Sequence, residues 1–339
     1  MLIPRAALAE LAAARPSPGG GWQVSAVDLD LDPLDLVRSG AGVFDQAVYF
    51  SSPSGTAVGG LGAAWSAEAA GAERFRVLDG ALGSLPGGRP VFLGFSFAPA
   101  GSTSPEWEGF PAAGLVVPLL AVWRRAGRSC LCLALFEGAD PEALVERAAR
   151  LAPPGPSQVP AAVGPAHARP PVREWAGKVA EIVEAARVGG PAKVVLARAR
   201  RVALEREARP FDVVALLRAR HPGCYGYGRQ VGAAALVGAS PELLVARSGK
   251  RFEARPLAGS IGRSPDPGED RRLGDALLAD PKERAEHAFV VEEICTHLAP
   301  LADTLERPPA PRLERFPTVQ HLATSITGTT GARLLDLVD

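Results

Sequence analysis

The sequence predicts an α+β protein built around antiparallel sheets. Short apolar or alternating runs fill the first part of the chain, helical periodicity marks several later segments, and the two kinds of segment do not alternate strictly. A doubly wound parallel sheet would require that strict alternation. The chain has 339 residues, of which 47% are hydrophobic, so it can bury a large core.

The predicted elements begin with strand-like runs bounded by glycine or proline. These runs lie at 47–50, 74–78, 91–97, 115–123 and 129–136. A helix follows, with Asp140 as its N-cap and Pro141 as its first residue. Further helices are predicted at 173–188, 211–220, 270–278 and 280–298, and a further strand at 193–200. A tight turn at Ser240 and Pro241, between apolar runs at 233–237 and 243–247, predicts a hairpin.

One stretch, residues 152–171, is rich in proline, alanine and glycine and has no periodicity. Such a composition is typical of a linker or of a long irregular crossover. It separates an N-terminal half, residues 1–151, from a half that carries the motifs described below, residues 172–339. We interpret both halves as parts of one large domain, residues 1–339.

The charge balance gives no sign of a polyanionic partner, because 37 basic and 37 acidic residues cancel. Proteins that bind nucleic acids or anionic membranes usually carry a basic excess, so we expect neither partner. The apolar runs are too short to cross a bilayer, and the N-terminus has no signal-peptide core. We expect a soluble, cytoplasmic protein, and a count of only four cysteines fits that compartment.

The cysteines are not predicted to bind metal or to catalyse. Cys130 and Cys132 lie in an apolar run, and no second Cys/His pair is present to complete a zinc site, so we interpret them as strand residues on one face. Cys224 is considered as a nucleophile, but the sequence assigns it no basic partner and a core position is favoured.

A predicted helix start near Asp280 carries two carboxylates of interest. Asp280 and Glu283 have the spacing of a capping box, so Glu283 is either a cap or a ligand. Glu286 lies at helical spacing with Val290, on or beside the apolar face. A carboxylate there needs a partner, either a buried arginine or a hard cation such as Mg²⁺.

Two further charged residues are candidates for proton transfer. Lys193 opens an apolar strand and is either a solvated flanking residue or, in a pocket, a general base. Glu242 follows the predicted turn and is either a solvated carboxylate or a group aimed into a cleft.

Small and polar residues at two places could line a ligand site. Gly259 and Ser260 belong to a run of small residues that permits a ligand to approach the backbone, although a plain loop fits equally well. His321 opens a strand-like run with three hydroxyl groups and is either a structural histidine or a binding residue.

Taken together and in this order, five motifs resemble the signatures of the chorismate-utilising (chorismate-binding) enzymes. They are Lys-Val-Val-Leu-Ala-Arg at 193–198, Gly-Ala-Ser-Pro-Glu-Leu-Leu at 238–244, Pro-Leu-Ala-Gly-Ser at 256–260, Lys-Glu-Arg-Ala-Glu-His at 282–287 and His-Leu-Ala-Thr-Ser-Ile-Thr-Gly at 321–328. The resemblance covers residues 173–339 firmly and the N-terminal half more loosely. It implies an α/β/β/α layered fold in which two stacked antiparallel sheets are flanked by helices, as in anthranilate and isochorismate synthases.

Within this family the sequence is most similar to isochorismate synthase. Lys193 stands where the water-using members carry a lysine, and the helix after Glu286 lacks the Arg-Asn-Asp run of the amine-using members. The resemblance implies isomerisation of chorismate to isochorismate, for menaquinone or siderophore biosynthesis. The alternatives are a salicylate synthase, which also releases pyruvate, and an inactive remnant that acts at most as a binding module.

The resemblance also implies a role for each candidate residue. Lys193 would be the general base that activates water, and Glu242 the general acid that protonates the departing hydroxyl. Glu286, with Glu283 close by, would hold the Mg²⁺ that binds the carboxylate of chorismate. The substrate site would be lined by Gly259, Ser260 and His321.

The family's usual chain continues beyond a segment such as 334–339. That continuation carries a proline-rich loop, a second magnesium glutamate, and a tyrosine and an arginine that bind the substrate carboxylate. We therefore expect this chain to be a fragment of the family's domain, with weak or no activity by itself. We expect a monomer, with association through apolar surface that the missing part would leave exposed.

Overall fold

The computed structural model describes residues 1–13, 21–85, 87, 89–136, 139–190 and 193–339. Within these ranges the α-helices are α1 (Arg5–Ala13), α2 (Pro33–Gly40), α3 (Arg74–Gly83), α4 (Pro141–Ala149), α5 (Val172–Arg187), α6 (Pro210–Arg220), α7 (Pro267–Ala279) and α8 (Pro281–Leu298). The strands are β1 (Trp22–Asp28), β2 (Gln46–Ser51), β3 (Ala57–Leu61), β4 (Trp65–Ala69), β5 (Phe92–Phe95), β6 (Ala113–Val117), β7 (Leu120–Arg125), β8 (Arg128–Phe136), β9 (Ala162–Arg169), β10 (Ala199–Leu204), β11 (Tyr225–Val231), β12 (Ala234–Ser240), β13 (Leu243–Ser248), β14 (Arg251–Arg255), β15 (Leu257–Gly262), β16 (Thr304–Glu306), β17 (Arg312–Arg315), β18 (Val319–Ala323) and β19 (Ile326–Thr329).

The strands pair in antiparallel fashion throughout the described residues. They form a seven-stranded sheet in the order β1-β8-β7-β3-β2-β11-β12, a four-stranded sheet in the order β13-β14-β19-β16, three-stranded sheets β15-β18-β17 and β4-β6-β5, and a two-stranded sheet β10-β9. Helices intervene between groups of strands without regular alternation. The predicted α+β class with antiparallel sheets is therefore confirmed.

The described residues form two compact units. The first comprises Met1–Ser157 together with Pro210–Asp339, and the second comprises Gln158–Arg209. The second unit contains β9, α5 and β10. Strand β9 lies inside the stretch 152–171, which the sequence predicts to be irregular. A strand forms there because its backbone pairs with β10, although its side chains are mostly exposed. No described helix is both long and apolar enough to cross a membrane.

The core of the first unit consists of three apolar clusters. The largest joins helices α1, α2, α4 and α6 to the seven-stranded sheet, with buried residues that include Leu8, Leu34, Leu144, Phe211 and Tyr49. The second lies between α3 and the sheet β4-β6-β5. The third packs Val291 and Leu298 of α8 against Phe252 of β14 and Ile326 of β19. This last cluster fixes α8 on the four-stranded sheet.

The helix starts that the sequence marks by Asp-Pro are confirmed. The Asp140 side chain accepts hydrogen bonds from the N–H groups of Glu142 and Ala143, at 2.9 and 3.2 Å, and Pro141 is the first residue of α4. These bonds satisfy N–H groups that have no partner inside the first turn.

The strand predicted at 74–78 is wrong, because this run forms the start of α3. The buried residues of α3 are Arg74, Phe75, Leu78 and Asp79, which recur three or four positions apart as on one helix face. A run of five residues is too short for its periodicity to distinguish a strand from a helix.

The predicted hairpin at Ser240 and Pro241 is also wrong. Strand β12 pairs with β11, whereas β13 pairs with β14 in another sheet. The single run 115–123 likewise divides at Pro118 into β6 and β7, which belong to different sheets. Proline has no N–H to donate to a ladder, so the chain leaves a sheet at these positions instead of continuing or turning back.

The strand predicted at 193–200 begins only at Ala199, and residues 193–198 have no regular secondary structure. Its partner β9 ends at Arg169, opposite Ala199, and is followed by Pro170 and Pro171. Within the second unit the residues before Ala199 therefore have no strand to pair with, although their apolar alternation is that of a strand.

We expect a buried ion pair to stabilise the junction of α2 and α6. Arg38 Nε donates to Asp212 Oδ1 at 2.9 Å, and the two side chains are only 9% and 3% exposed. Asp212→Ala should lower the free energy of unfolding by about 3–5 kcal/mol, because it removes the buried carboxylate that pairs with Arg38 Nε, and the other carboxylate near Arg38, that of Asp35, is more distant and more exposed. Chemical denaturation measures this.

Asp35→Ala is the matched control, since Asp35 contacts the same Arg38 at 3.5 Å but is 41% exposed. Its replacement should lower the free energy of unfolding by less than about 1 kcal/mol. Equal losses in the two variants would contradict the assignment of the buried pair.

Candidate functional site

The chain changes sheet at three places that adjoin one another. It passes from β12 to β13 at Pro241 and Glu242, from β14 to β15 at Pro256, and from β18 to β19 just after Ala323. The N–H of Leu257 donates to Glu242 Oε1 at 3.3 Å, which joins the first crossover to the second. The N–H of Thr324 donates to the carbonyl of Pro256 at 3.4 Å, which joins the second to the third.

Ser260 and His321 face each other across strands β15 and β18. Ser260 Oγ and His321 Nδ1 share a hydrogen bond of 2.7 Å. Burial lowers the pKa of the His321 imidazole, while the nearby charge of Glu242 and a hydrogen bond with the backbone of Gly259 act in the opposite direction. The neutral imidazole is therefore favoured, with Glu242 and Ser260 as its neighbours.

Gly259 allows the helix α8 to approach β15 closely. It has a φ of +79°, and the register of β15 with β18 shifts between Ala258 and Ser260, so Gly259 forms a β-bulge. A Cβ atom at this position would lie 3.2 Å from Glu283 Oε2 and from a methyl carbon of Leu322. Only glycine combines this backbone conformation with that proximity.

The first two turns of α8 carry two glutamates, Glu283 and Glu286, and Lys282 lies beside both. The Asp280 side chain accepts from the N–H groups of Lys282 and Glu283, at 2.8 and 3.1 Å, as predicted for its N-cap. The N–H of Asp280 itself donates to the carbonyl of Ala276 at 2.9 Å, so Glu283 does not close a capping box. Lys282 Nζ instead contacts Oε1 of Glu283 at 2.9 Å and Oε1 of Glu286 at 3.1 Å.

This geometry shows that one cation can touch both carboxylates. Hydrogen bonds with Glu283 and then Glu286 raise the pKa of Lys282, so an ammonium ion stands between them. The Glu283 side chain is 23% exposed and that of Glu286 43% exposed, and Glu286 borders the buried stripe of α8 as predicted. A hard divalent cation takes carboxylate oxygens of this kind, so the pair fits Mg²⁺.

Two carboxylates alone do not complete the shell of such an ion. In the part of the chain that the structure describes, no group of three or more His, Cys, Asp or Glu side chains is placed to hold a metal. A six-coordinate Mg²⁺ at Glu283 and Glu286 would take its other ligands from water and from a bound anion. The pair therefore suits a metal that also binds the substrate.

The structure brings six of the seven predicted site residues to one region of the first unit. They are Glu242, Gly259, Ser260, Glu283, Glu286 and His321. Lys193 lies in the second unit, between α5 and β10. Three residues that the sequence did not single out also belong here: Lys282, His287 and Thr324. Each lies inside one of the quoted motifs, which was the only signal for them.

All four cysteines are free thiols. Burial raises the pKa of Cys132 to about 12 and also raises the pKa of Cys224. Raised pKa values leave little thiolate near neutral pH, which argues against either cysteine as a nucleophile. Cys132 is buried in the core, whereas Cys224 is only partly buried.

The chain belongs to the chorismate binding enzyme family, because the sequence pattern that defines this family matches residues 22–339. It is 34% identical over 335 residues to the salicylate biosynthesis isochorismate synthase of Pseudomonas aeruginosa, and the match covers 92% of this chain and 68% of that protein. Over 146 residues it is 47% identical to the putative isochorismate synthase MenF of Mycobacterium tuberculosis, which covers 40% of this chain and 38% of the relative.

Solved structures show the same fold. The menaquinone-specific isochorismate synthase MenF from Escherichia coli superposes with a TM-score of 0.81 at 22% identity, over 98% of this chain and 77% of that one. The DhbC protein of Bacillus anthracis, described as a putative 2,3-dihydroxybenzoate-specific isochorismate synthase, gives a TM-score of 0.66 at 23% identity over 86% of this chain and 71% of its own. The predicted family and its fold are therefore confirmed.

We expect the burial of His321 to make stability depend on pH. Its pKa is lowered in the folded state, so its contribution to stability is complete above the unfolded value of about 6.5 and is lost as pH falls through the folded value. The free energy of unfolding should therefore decline as pH falls below about 6.5, and His321→Asn should reduce that decline. Urea denaturation at several pH values measures the slope.

His297→Asn is the control for the loss of an imidazole, because the His297 side chain is 67% exposed. The slope of stability against pH should be flatter in His321→Asn than in His297→Asn. Identical slopes would show that His321 is not the titrating group.

Proposed function

We propose that this chain converts chorismate to isochorismate by exchanging an allylic hydroxyl group for one derived from water. The observation that carries the proposal is that Glu242 and Glu283 lie beside the same strand, β15. Glu242 accepts a hydrogen bond from the N–H of Leu257, and Glu283 lies beside Gly259, where an added Cβ atom would be 3.2 Å from Glu283 Oε2. Membership of the chorismate binding enzyme family and the isochorismate synthases among the relatives support it.

The reaction needs one base, one acid and a partner for the substrate's negative charge. Water attacks the ring carbon beside the carboxylate, and the neutral amine of Lys193 takes its proton. Both double bonds of the ring diene shift by one position, and the allylic C–O bond breaks. The departing hydroxyl takes a proton from Glu242 and leaves as water. One water enters and one leaves, so the net change is an isomerisation.

Glu242 is the proposed acid because of its position. It lies at the crossover from β12 to β13, held by its contact with the Leu257 N–H, and its carboxylate is exposed to a ligand. His321 stands beside it with a neutral ring favoured by burial, so the imidazole adds no competing positive charge. His321 and Ser260 can then donate or accept hydrogen bonds at the substrate's hydroxyl groups.

Lys193 is proposed as the base from its place in the motif at 193–198 that resembles those of the water-using members. The role of Gly259 follows from its conformation: with no side chain, it lets the substrate approach the backbone beside Glu283. The product would serve menaquinone or siderophore biosynthesis.

Glu283 and Glu286 are proposed to hold Mg²⁺, which when bound would neutralise the carboxylate of chorismate. Their fit rests on the shared contact with Lys282, which shows that a cation reaches both carboxylates at once. Helix α8 would hold the carboxylates of Glu283 and Glu286 about one turn apart, with Glu283 beside Gly259.

The deciding experiment is product analysis after incubation of the purified chain with chorismate, with and without Mg²⁺. Isochorismate that forms only with the metal, even at a low rate, is the expected result. Salicylate together with pyruvate would instead indicate a salicylate synthase. No product at any metal concentration would contradict the proposal for this chain.

The same experiment should be run on Glu286→Gln, with Glu292→Gln as its control. Glu292 lies on the same helix but pairs with Arg307, so its replacement leaves the carboxylate pair intact. Glu286→Gln should weaken Mg²⁺ binding about tenfold or more, as measured by calorimetry, because it removes one of two anionic ligands. Equal affinities in the two variants would disprove the metal site.

Glu242→Gln should lower kcat by about 10²–10⁴-fold, since an amide cannot protonate the leaving hydroxyl. Its Mg²⁺ affinity should be that of the unmodified chain, because Glu242 is not one of the two proposed ligands. Glu253→Gln on β14 is the control and should leave kcat unchanged. A Glu242→Gln variant with full kcat would show that another group supplies the proton.

A further inference from the structure

Thr324 is a buried polar residue at the point where the chain passes from β18 to β19. Its exposure is 3%, and it contacts two other segments of the first unit. Its N–H donates to the carbonyl of Pro256 at 3.4 Å. Its hydroxyl oxygen Oγ1 shares a hydrogen bond of 2.7 Å with Nε2 of His287, whose exposure is 2%.

The two segments that Thr324 contacts carry the two halves of the proposed site. Pro256 directly precedes Leu257, whose N–H holds the carboxylate of Glu242. His287 directly follows Glu286 on α8, one turn after Glu283. Thr324 is therefore the residue through which the crossover that holds the acid is hydrogen-bonded to the helix that holds the carboxylate pair.

A hydrogen bond between two buried side chains fixes distance more strictly than apolar packing does. In a buried environment the loss of either partner leaves a polar group without its bond, which is costly, so the pair has one favoured geometry. The apolar cluster of Val291 and Leu298 holds the later turns of α8, whereas His287 is the buried residue of its first two turns. The hydrogen bond between His287 and Thr324 therefore lies in the same part of α8 as Glu283 and Glu286.

We propose that Thr324 and His287 are positioning residues, which set the separation between Glu242 and the pair formed by Glu283 and Glu286. Both side chains are almost fully buried, so they would act on the reaction through the groups that they hold in place. The inference rests on the proposed function, because it assigns these residues to the geometry of that reaction. A displacement of about 1 Å between groups that act together lowers a rate by about 10²-fold.

The test compares Thr324→Val with Thr324→Ser and Thr330→Val. Valine keeps the shape of threonine and removes the hydroxyl, whereas serine restores the hydroxyl. Thr330 is the matched control: it is 0% exposed, donates its hydroxyl to the carbonyl of Leu301 and accepts from the N–H of Ala332 at 2.9 Å. The hydrogen bonds described for Thr330 join it to Leu301, Ala332 and Lys250, none of which is a proposed site residue. The free energy of unfolding, the affinity for Mn²⁺ as a probe of the Mg²⁺ site, and the kinetics with chorismate are measured for each.

Thr324→Val should lower kcat at saturating metal by about 10–100-fold and weaken Mn²⁺ binding by about tenfold, with a smaller change in KM for chorismate. Thr324→Ser should recover most of both losses. Thr330→Val should lose similar stability but keep kcat and Mn²⁺ affinity. Equal effects on kcat and Mn²⁺ affinity in the two valine variants would overturn the proposal and leave Thr324 a structural residue.

The two proposals fail in different ways. If the unmodified chain turns chorismate into a product other than isochorismate, the proposed function fails, and the comparison of the variants still decides the positioning role from kcat and Mn²⁺ affinity. If the unmodified chain makes isochorismate and Thr324→Val does so equally fast, only the positioning role fails. If the unmodified chain neither binds Mn²⁺ nor consumes chorismate, both proposals are overturned.

Discussion

Where a chain passes from one sheet to another, its backbone N–H and C=O groups lose the regular partners of a ladder and must find others. In this protein three such passages lie side by side, at Glu242, at Pro256 and at Thr324, and they satisfy one another. The Leu257 N–H reaches a side-chain carboxylate, and the Thr324 N–H reaches the carbonyl of Pro256. The positions of Glu242 and Thr324 in the candidate site depend on this mutual arrangement.

The arrangement explains why the polar residues gather there. In the interior of a strand, side chains alternate between two faces, and an acid on one face cannot meet a neighbour on the other. At a crossover the backbone leaves that pattern, so Glu242 can turn toward β15 while His321, on the neighbouring β18, pairs with Ser260. The bulge at Gly259 completes the effect, because its positive φ and missing side chain bring the first turn of α8 against the same strand.

The parts of the fold that could be predicted are those specified by neighbouring residues. The starts of α4 and α8 follow from an aspartate and the proline after it, and both helices begin where the sequence places them. The hairpin at Pro241 could not be predicted correctly, since a turn signal reports local geometry and not which strand will pair. The helix α3 was missed for a related reason: five residues satisfy both periodicities, and only burial against β4 and β6 selects one.

The candidate site, like the fold, is only partly specified by neighbouring residues. The order of the motifs indicated the candidate side chains, but nothing in the sequence places Thr324 against both Pro256 and His287, because those contacts join segments far apart in the chain.

The electrostatic environment of Glu283 and Glu286 depends on their position on α8 as well as on their own charges. Glu283 and Glu286 lie in the first two turns of α8, where the positive end of the helix dipole and the N–H groups of the first turn already stabilise negative charge. Lys282 adds a full positive charge within 3.1 Å of both carboxylates. The divalent cation proposed for this pair would therefore have to displace an existing counter-ion from carboxylates that the helix has partly neutralised. Its affinity would depend on how well the two carboxylates are fixed, and for that reason buried contacts that touch no ligand would matter for the site.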